Sequence, residues 1–322
     1  MKHFSFLKKS IVLVTFFFVA SSIVSCSSED NINAKKSSIT EIVQSQSNLT
    51  TLGIALQRTD LLTTLNNEGT FTLFAPTNAA FDNFLTLNGF TDINAVPVAT
   101  LKEILLNHVI GDVKTVLDLP PSGYIKTLAK GNAAATNTLS LYVNKSNGIV
   151  LNGVSEVISE NALARNGIVH IVDGVIGLPT VFDHLNSNPN FTSLIGVLTG
   201  TGQPNFAATF SGTGPFTVFA PVNAAFTSLN TELAPSGVAG VSAANMTKIL
   251  QYHVVSNNIL SSQLIEGQVL TTLQAPQTFS VLLSAGPRLK DVNNRNSNII
   301  VTDIQCSNGV IHALSKVMLP TL

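Results

Sequence analysis

The chain has 322 residues, enough for about two domains, and its apolar fraction of 45% is too high for a disordered protein. Charged residues make up only 11%, and 17 Lys+Arg against 18 Asp+Glu leave a formal net charge of -1. Since no basic stripe is available to neutralise phosphates, the composition argues against nucleic-acid binding.

Residues 1–25 are predicted to be a signal peptide. Three lysines precede an apolar run from Ile11 to Ala20, which is too short for a comfortable membrane span. The segment closes on Ile23-Val24-Ser25-Cys26, which resembles a bacterial lipobox. The resemblance implies that the chain is cut before Cys26 and that this thiol is lipidated. The alternative is an ordinary secretory signal with an incidental cysteine.

Residues 26–37 are predicted to form a polar tether behind the lipidated cysteine. Glu29 and Asp30 resemble the surface-export signal of some Gram-negative lipoproteins. We therefore expect the protein at the bacterial outer membrane, held by acyl chains and facing the periplasm or the cell surface. Cys306 then has no disulfide partner, and its apolar neighbours favour a small buried residue over a reactive nucleophile.

Each half of the remaining chain begins its sheet pattern in the same way. A short strand is predicted first. It ends at a proline, which has no N–H to donate to a neighbouring strand, and an asparagine is expected to cap the helix that follows. These features are residues 72–75 and 217–220, Pro76 and Pro221, and Asn78 and Asn223.

Further along each half, apolar residues recur at a near-helical period and strand-like runs follow. The last strand of each half begins at an Asn-Gly turn. The helices are predicted at 98–109 and 246–255, and the strands at 138–143, 168–172, 278–283 and 310–314. Strands and helices mix without regular βαβ alternation, which favours an α+β fold.

The chain carries an internal duplication. Three motifs of the first half recur in the same order in the second half, and the first is displaced by 145 positions. A period this long indicates duplication of a whole domain. The pairs are TFTLFAPTNAAF (70–81) with PFTVFAPVNAAF (215–226), ILLNHVIG (104–111) with ILQYHVVS (249–256), and NGIVHIVDGVIGLP (166–179) with NGVIHALSKVMLP (308–320).

These motifs resemble the fasciclin-like domain, through the T-L/V-F-A-P-x-N-A-A-F phrase, the mid-domain histidine and the final Asn-Gly-x-x-His. The resemblance implies two tandem domains at 38–178 and 179–322, each a β-wedge or sandwich with packed helices. Relatives are extracellular adhesion modules, so it also implies a non-catalytic protein without a cofactor that binds a protein or matrix ligand. The short join at 178–180 is expected to limit movement between the domains.

Four of the six histidines lie at equivalent places among apolar neighbours. They could form a metal site, but zinc needs three or four ligands and neither half supplies a close-spaced His or Cys pair. We therefore predict no metal and a structural role, with ring nitrogens bonded to the backbone. The residues are His108, His170, His253 and His312, and Asp173 follows His170 where the second half has Ser315.

The second half is expected to carry the binding residues. In animal relatives, an Asp-Ile pair before the Asn-Gly-x-x-His motif contributes to receptor adhesion, and Asp303-Ile304 matches it here. Tyr252-His253 matches the family's Tyr-His pair, whereas the first half has Asn107 at that place. The alternative is that Asp303 ends a strand on a solvated loop.

Two other functions stay open at this stage. A glycan-binding module of an envelope polysaccharide system is the second hypothesis, although the chain has no Trp and only three Tyr on which sugars could stack. A hydrolase whose site is assembled only in three dimensions is the third, since no G-x-S-x-G motif appears.

Overall fold

The two halves of the chain repeat one order of helices and strands. The computed structural model describes residues 36–134 and 136–322. The predicted signal peptide, the lipidated Cys26 and the tether as far as residue 35 lie outside the described residues. None of the described helices is both long enough and apolar enough to cross a membrane.

A capping box starts each half. The Ser38 hydroxyl accepts from the backbone N–H of Glu41, whose carboxylate accepts from the N–H of Ser38, so two unpaired helix-end donors are satisfied. Thr180 and Asp183 repeat this arrangement. The first half then contains α1 (Ile39–Ser45), α2 (Thr50–Arg58), α3 (Leu61–Asn66), β1 (Phe71–Pro76), α4 (Asn78–Leu87), α5 (Val98–Leu106), β2 (Val109–Ile110), β3 (Ser122–Lys130), β4 (Thr138–Asn144), β5 (Val150–Leu151), β6 (Ser155–Ala164) and β7 (Gly167–Val172).

The second half follows the same plan. Its elements are α6 (Val181–Ser187), α7 (Thr192–Leu198), α8 (Phe206–Ser211), β8 (Phe216–Pro221), α9 (Asn223–Glu232), α10 (Ala243–Tyr252), β9 (Val254–Ser256), β10 (Val269–Thr271), β11 (Thr278–Leu282), β12 (Arg288–Lys290), β13 (Asn296–Cys306) and β14 (Gly309–Leu314).

Each half builds a seven-stranded sheet, in the order β2-β1-β7-β6-β5-β4-β3 and β9-β8-β14-β13-β12-β11-β10. The duplicated motifs meet at its centre, where β1 runs parallel to β7 and β8 runs parallel to β14. The other pairs are antiparallel. This mixture of sheet and packed helices confirms the predicted α+β class.

The central strands are covered on both faces. In β1, Leu73 and Ala75 pack against the helices, while Phe74 enters a second apolar cluster made by the strands and their loops. In β8, Phe219 faces the equivalent second cluster. Burial on both faces explains why these strands have continuous apolar sequences without alternation.

The helices predicted at 98–109 and 246–255 both end earlier in the structure, and the second also begins earlier, at Ala243. α5 ends at Leu106 and α10 at Tyr252, and the apolar residues that follow form β2 and β9. The apolar period continues past each helix because the next strand is buried too.

Asn78 and Asn223 are not the helix caps that we expected. Thr77 caps α4, accepting from the N–H of Ala80 at 3.2 Å, while Asn78 is the first helical residue. The Asn78 amide instead accepts from the N–H of Thr51 at 3.0 Å, and Asn223 bonds in the same way to Ser193 at 2.9 Å. These side chains connect two helices instead of starting one.

The asparagine before each final strand links the helices to the sheet. The side-chain oxygen of Asn166 accepts from the N–H of Ile39 at 3.0 Å, and its nitrogen donates to the carbonyls of Leu65 and Asn67 at 2.7 and 2.9 Å. The side chain is buried, so it satisfies backbone groups that water reaches poorly. Asn308 makes the equivalent three bonds, to Val181, Phe210 and Gly212.

We predict that Asn308→Ala lowers the free energy of unfolding by about 2–4 kcal/mol, because three backbone groups lose their partner at a buried position. Urea unfolding followed by circular dichroism measures the change. The matched control is Asn147→Ala, at an exposed Asn-Gly pair, which should shift the value by less than about 0.5 kcal/mol. Equal stability of the Asn308 variant and the unmodified protein would contradict this role.

Candidate functional site

The first histidine of each half joins the end of a helix to the chain beyond the last strand. His108 Nδ1 lies 2.7 Å from the carbonyl oxygen of Ile104, and its Nε2 accepts from the N–H of Ile176 at 2.9 Å. Because Nε2 accepts, the ring proton sits on Nδ1 and the ring is neutral. His253 makes the equivalent bonds, to Ile249 and Met318.

The second histidine uses the opposite tautomer. His170 Nδ1 accepts from the N–H of Asn161 at 3.2 Å, and its Nε2–H donates to the carbonyl of Lys114 at 2.9 Å. The ring stacks on Phe74 with centroids 5.4 Å apart. His312 repeats this arrangement, with Asp303, Ile259 and Phe219.

These rings are fully engaged. Burial lowers the pKa of His108 and His253 to about 4, although their backbone hydrogen bonds oppose the shift. Burial also lowers the pKa of His170 and His312. With both nitrogens of each ring bonded to the backbone, none of the four is free to act as a base or a ligand. Within 36–134 and 136–322, no three His, Cys, Asp or Glu side chains are grouped to hold a metal ion.

The other residues of the predicted structural motif lie at strand ends. Pro76 and Pro221 are the last residues of β1 and β8. The carboxylate of Asp173 accepts from the N–H of Glu156 at 2.6 Å. In the second half the hydroxyl of Ser315 accepts from Asn298, so a serine fulfils the same role.

The structure buries three of the four candidate binding residues. Tyr252 is 0% exposed, His253 3% and Ile304 1%. Tyr252 donates to the carbonyl of Thr278 at 2.7 Å, and Ile304 packs in the helix-facing core of the second half. These side chains therefore offer no surface to a partner.

Asp303 is half-buried and sits in a bulge of β13 with φ of 58°. Its carboxylate accepts from the backbone N–H of Ser261 at 2.8 Å and from the hydroxyl of that residue. Asn161 occupies the equivalent bulge of β6, also at 58°, and accepts from Val116. Asn and Asp tolerate this left-handed conformation. Asp303 therefore holds the loop at Ser261 in place. Tyr252 bonds instead to Thr278, and His253 to Ile249 and Met318.

Of the two cysteines, the structure describes Cys306. It is fully buried, and burial raises the pKa of its thiol well above the usual value. The nucleophilic thiolate is therefore disfavoured.

Hydrogen bonds connect the two halves around the Asp303 segment. Lys126 Nζ donates to the carbonyl of Asp303 at 2.9 Å, and the N–H of Gln305 donates to the hydroxyl of Ser140 at 3.0 Å. The N–H of Ala133 donates to the carbonyl of Ser307, also at 3.0 Å. The segment that we predicted as a ligand contact is thus an internal contact between β3, β4 and β13.

Aromatic packing adds to this interface. Tyr124 of the first half packs edge-on against His184 of α6, with centroids 5.5 Å apart, and its hydroxyl accepts from Asn188. Burial and the positive charge on Lys126 lower the pKa of His184 to about 3. The nearby backbone of Ser140 opposes this shift in the pKa. Neither ring nitrogen of His184 has a hydrogen-bond partner among the described residues.

The sequence held no signal for this interface, apart from the short join between the halves. A Cβ at Gly131 would lie 2.6 Å from the Cα of Ser307, so close backbone approach requires glycine there. The links made by Asn166 and Asn308 did have a signal, since both belong to the duplicated motif.

The Fasciclin domain model matches residues 47–179 and 189–320. The chain belongs to the fasciclin domain family. Human periostin is 24% identical over 288 residues, which are 88% of this chain and 31% of periostin. Protein sll1483 of Synechocystis is 32% identical over 145 residues, which are 44% of this chain and 74% of that protein. The chain thus spans less than a third of periostin.

A solved structure has the same tandem fold. The FAS1 domain pair of the insect cell adhesion molecule fasciclin I gives a TM-score of 0.50 at 20% identity. The similarity covers 84% of this chain and 97% of the insect chain. Two tandem fasciclin domains are therefore established here.

We predict that the fasciclin pair loses stability as pH falls from 6.5 towards 4. In this range His108, His184 and His253 gain protons in the unfolded chain but stay neutral in the folded one. Each can lower the free energy of unfolding by up to roughly 3 kcal/mol. Urea titrations across this range measure the decline. His253→Gln keeps a donor and an acceptor without titrating and should make the decline shallower by the contribution of one histidine, whereas a constant unfolding free energy of the unmodified protein would refute the assignment.

The interface between the fasciclin domains depends on the close backbone approach at Gly131. Gly131→Ala should loosen it, because the new methyl group would collide with the backbone of Ser307. Nuclear magnetic resonance relaxation should then report different tumbling times for the two domains. Gly177→Ala, where a Cβ meets nothing within 4 Å, is the control and should leave one tumbling time. Unchanged tumbling of the Gly131 variant would show that this contact is dispensable.

Proposed function

We propose that this chain is a non-catalytic adhesion protein that binds a protein or matrix partner through its paired fasciclin domains. In this proposal a lipid on Cys26 holds the pair at the bacterial outer membrane, facing the periplasm or the cell surface. The observation that carries it is the hydrogen-bonded interface between two domains of this family. A joined pair presents one extended surface, and the insect pair of the same fold comes from a cell adhesion molecule.

The chemistry of the described residues supports a binding role over a catalytic one. The four motif histidines have both ring nitrogens bonded to backbone groups, and the Cys306 thiol is buried. A general base or nucleophile needs a free atom within reach of a substrate.

A glycan ligand is the weaker alternative. Sugars stack on open aromatic faces, but Tyr142 and Tyr252 are 1% and 0% exposed and Tyr124 packs against His184. We therefore place the protein or matrix partner first and test polysaccharides beside it.

The anchor is tested by expressing the full chain in a Gram-negative host and separating its membranes. We predict that Cys26→Ser removes the protein from the outer-membrane fraction, because the acyl chains have no attachment site. Cys306→Ser is the matched control, and it should stay with the outer membrane. Protease treatment of intact cells then decides between the two faces of that membrane. An unchanged distribution of the Cys26 variant would remove the anchor from the proposal.

Adhesion is tested with the same cells on surfaces coated with matrix proteins or with polysaccharides. We predict retention on at least one protein surface, which depends on Cys26 because a released protein cannot hold the cell. Retention on polysaccharides alone would favour the glycan alternative. Retention on neither surface, with the protein shown to be cell-exposed, would contradict an adhesion role.

A further inference from the structure

His184 lies in the contact between the two fasciclin domains, and its ring is buried without hydrogen bonds. It is 0% exposed, and neither ring nitrogen has a partner among the described residues. The first domain covers the ring, since Tyr124 packs edge-on against it and the backbone of Ser140 lies close to it. A buried polar ring without partners costs free energy, so packing alone does not favour a histidine here.

The first domain has an isoleucine at the equivalent position. The capping boxes align Ser38 with Thr180, which makes Ile42 of α1 the counterpart of His184 in α6. Ile42 is half-buried and packs on the core of its own domain. The fold therefore accepts an apolar residue at this position. The histidine stands in the copy whose helix is covered by the other domain.

The joined pair offers no counter-charge to a protonated His184. Lys126 on β3 brings a positive charge towards the ring, which opposes protonation. The carboxylates of Asp183 on α6 and of Asp303 on β13 already accept hydrogen bonds from other residues. A proton on the ring would therefore be both desolvated and repelled in this contact.

The other titratable groups on the elements packed around the ring do not change this balance. Helices α7 and α8 have no titratable side chain. Tyrosine and cysteine stay uncharged in mild acid, and the remaining histidine has both ring nitrogens bonded to the backbone. These groups are Tyr124 on β3, Tyr142 on β4, Cys306 on β13 and His312 on β14.

We propose that His184 makes the joined pair of domains sensitive to acid. As the pH falls below 6.5, the domains part, and a ring nitrogen of His184 accepts a proton from water through its lone pair. The face of β3 and β4 around Tyr124 is then exposed. Neutralisation removes the proton and allows the domains to rejoin. The device belongs to the pair itself and works with any partner that the pair binds.

The direction of the pH dependence follows from the two states of the ring. Burial and the charge on Lys126 lower the pKa of His184 to about 3 in the joined pair. A ring that separation exposes titrates near the ordinary pKa of 6.5. Because the pKa is lower in the joined pair, the contact is fully stable above pH 6.5 and weakens as the pH falls towards 3.

The domains can part without unfolding. Each domain has its own apolar clusters, and among the described residues Tyr124 is the one side chain that packs on a cluster of the other domain. The rest of the contact includes hydrogen bonds such as those of Lys126 and Gln305. Contacts between domains open more readily than the domain cores when they are small and polar.

Hydrogen exchange of the full chain in detergent tests the proposal. The N–H of Gln305 donates across the interface to Ser140, so its exchange reports separation of the domains. The N–H groups of Phe74 and Phe219 donate within their own domains and report unfolding. After correction for intrinsic exchange rates, we expect the protection of Gln305 to fall about tenfold between pH 7.5 and 5.5. Phe74 and Phe219 should stay more protected than Gln305 at both values.

Variants at two histidines separate opening from unfolding. His184→Ile, which copies Ile42, and His184→Gln should both abolish the fall at Gln305, since neither new side chain titrates. The matched control is His253→Gln, which removes a titrating ring from within the second domain and should leave the fall unchanged.

The protection of Phe74 and Phe219 shows that each variant is folded. The proposal is overturned if the protection of Gln305 in the unmodified chain is constant over this pH range. It is also overturned if Gln305 is protected as strongly as Phe219, because the domains then open only by unfolding. Persistence of the fall in a folded His184 variant would assign the acid sensitivity to another group.

Discussion

Buried neutral side chains that bond to the backbone hold each fasciclin domain together. Charged residues are scarce, and the described cysteine is unpaired. The second domain has one ion-pair network, formed by Glu232, Asp291, Arg295 and Lys316. His108 joins a helix end to the last loop, and Asn166 joins the first helices to the central strand. Such groups stabilise a fold only when every donor and acceptor is satisfied, and they then impose one geometry. The rings must stay neutral, which links the fold to pH.

The duplication separates this framework from the parts that changed. His170 and His312 keep the same bonds in both domains, and so do the left-handed bulge residues Asn161 and Asp303. At other equivalent positions, the two domains use different side chains to hydrogen-bond to the backbone. Asn107 bonds to Thr127 and Gly177, whereas Tyr252 at the equivalent position reaches Thr278. A motif shared by both copies is therefore evidence of a structural requirement, and binding residues have to be sought outside the shared motifs.

The sequence was a good guide to features that depend on neighbours along the chain. The central strands, their prolines and the α+β class followed from local pattern and from the family resemblance. The helix ends did not, because the apolar period runs on into β2 and β9. The bonds of Asn78 to Thr51 and of Gln305 to Ser140 were also invisible, since they join residues far apart in sequence. The same holds for the interface between the domains, where Ala133 bonds to Ser307.

The contacts around Asp303 show that the two fasciclin domains do not act as independent units. If each domain acted as an independent binding unit, Asp303-Ile304 would be free for a partner. Instead, Lys126 holds the carbonyl of Asp303, Ser261 holds its carboxylate and Ile304 fills the core. These contacts remove one candidate surface and join the two domains. The binding that we propose for this chain is therefore better explained by the pair as a unit than by either domain alone.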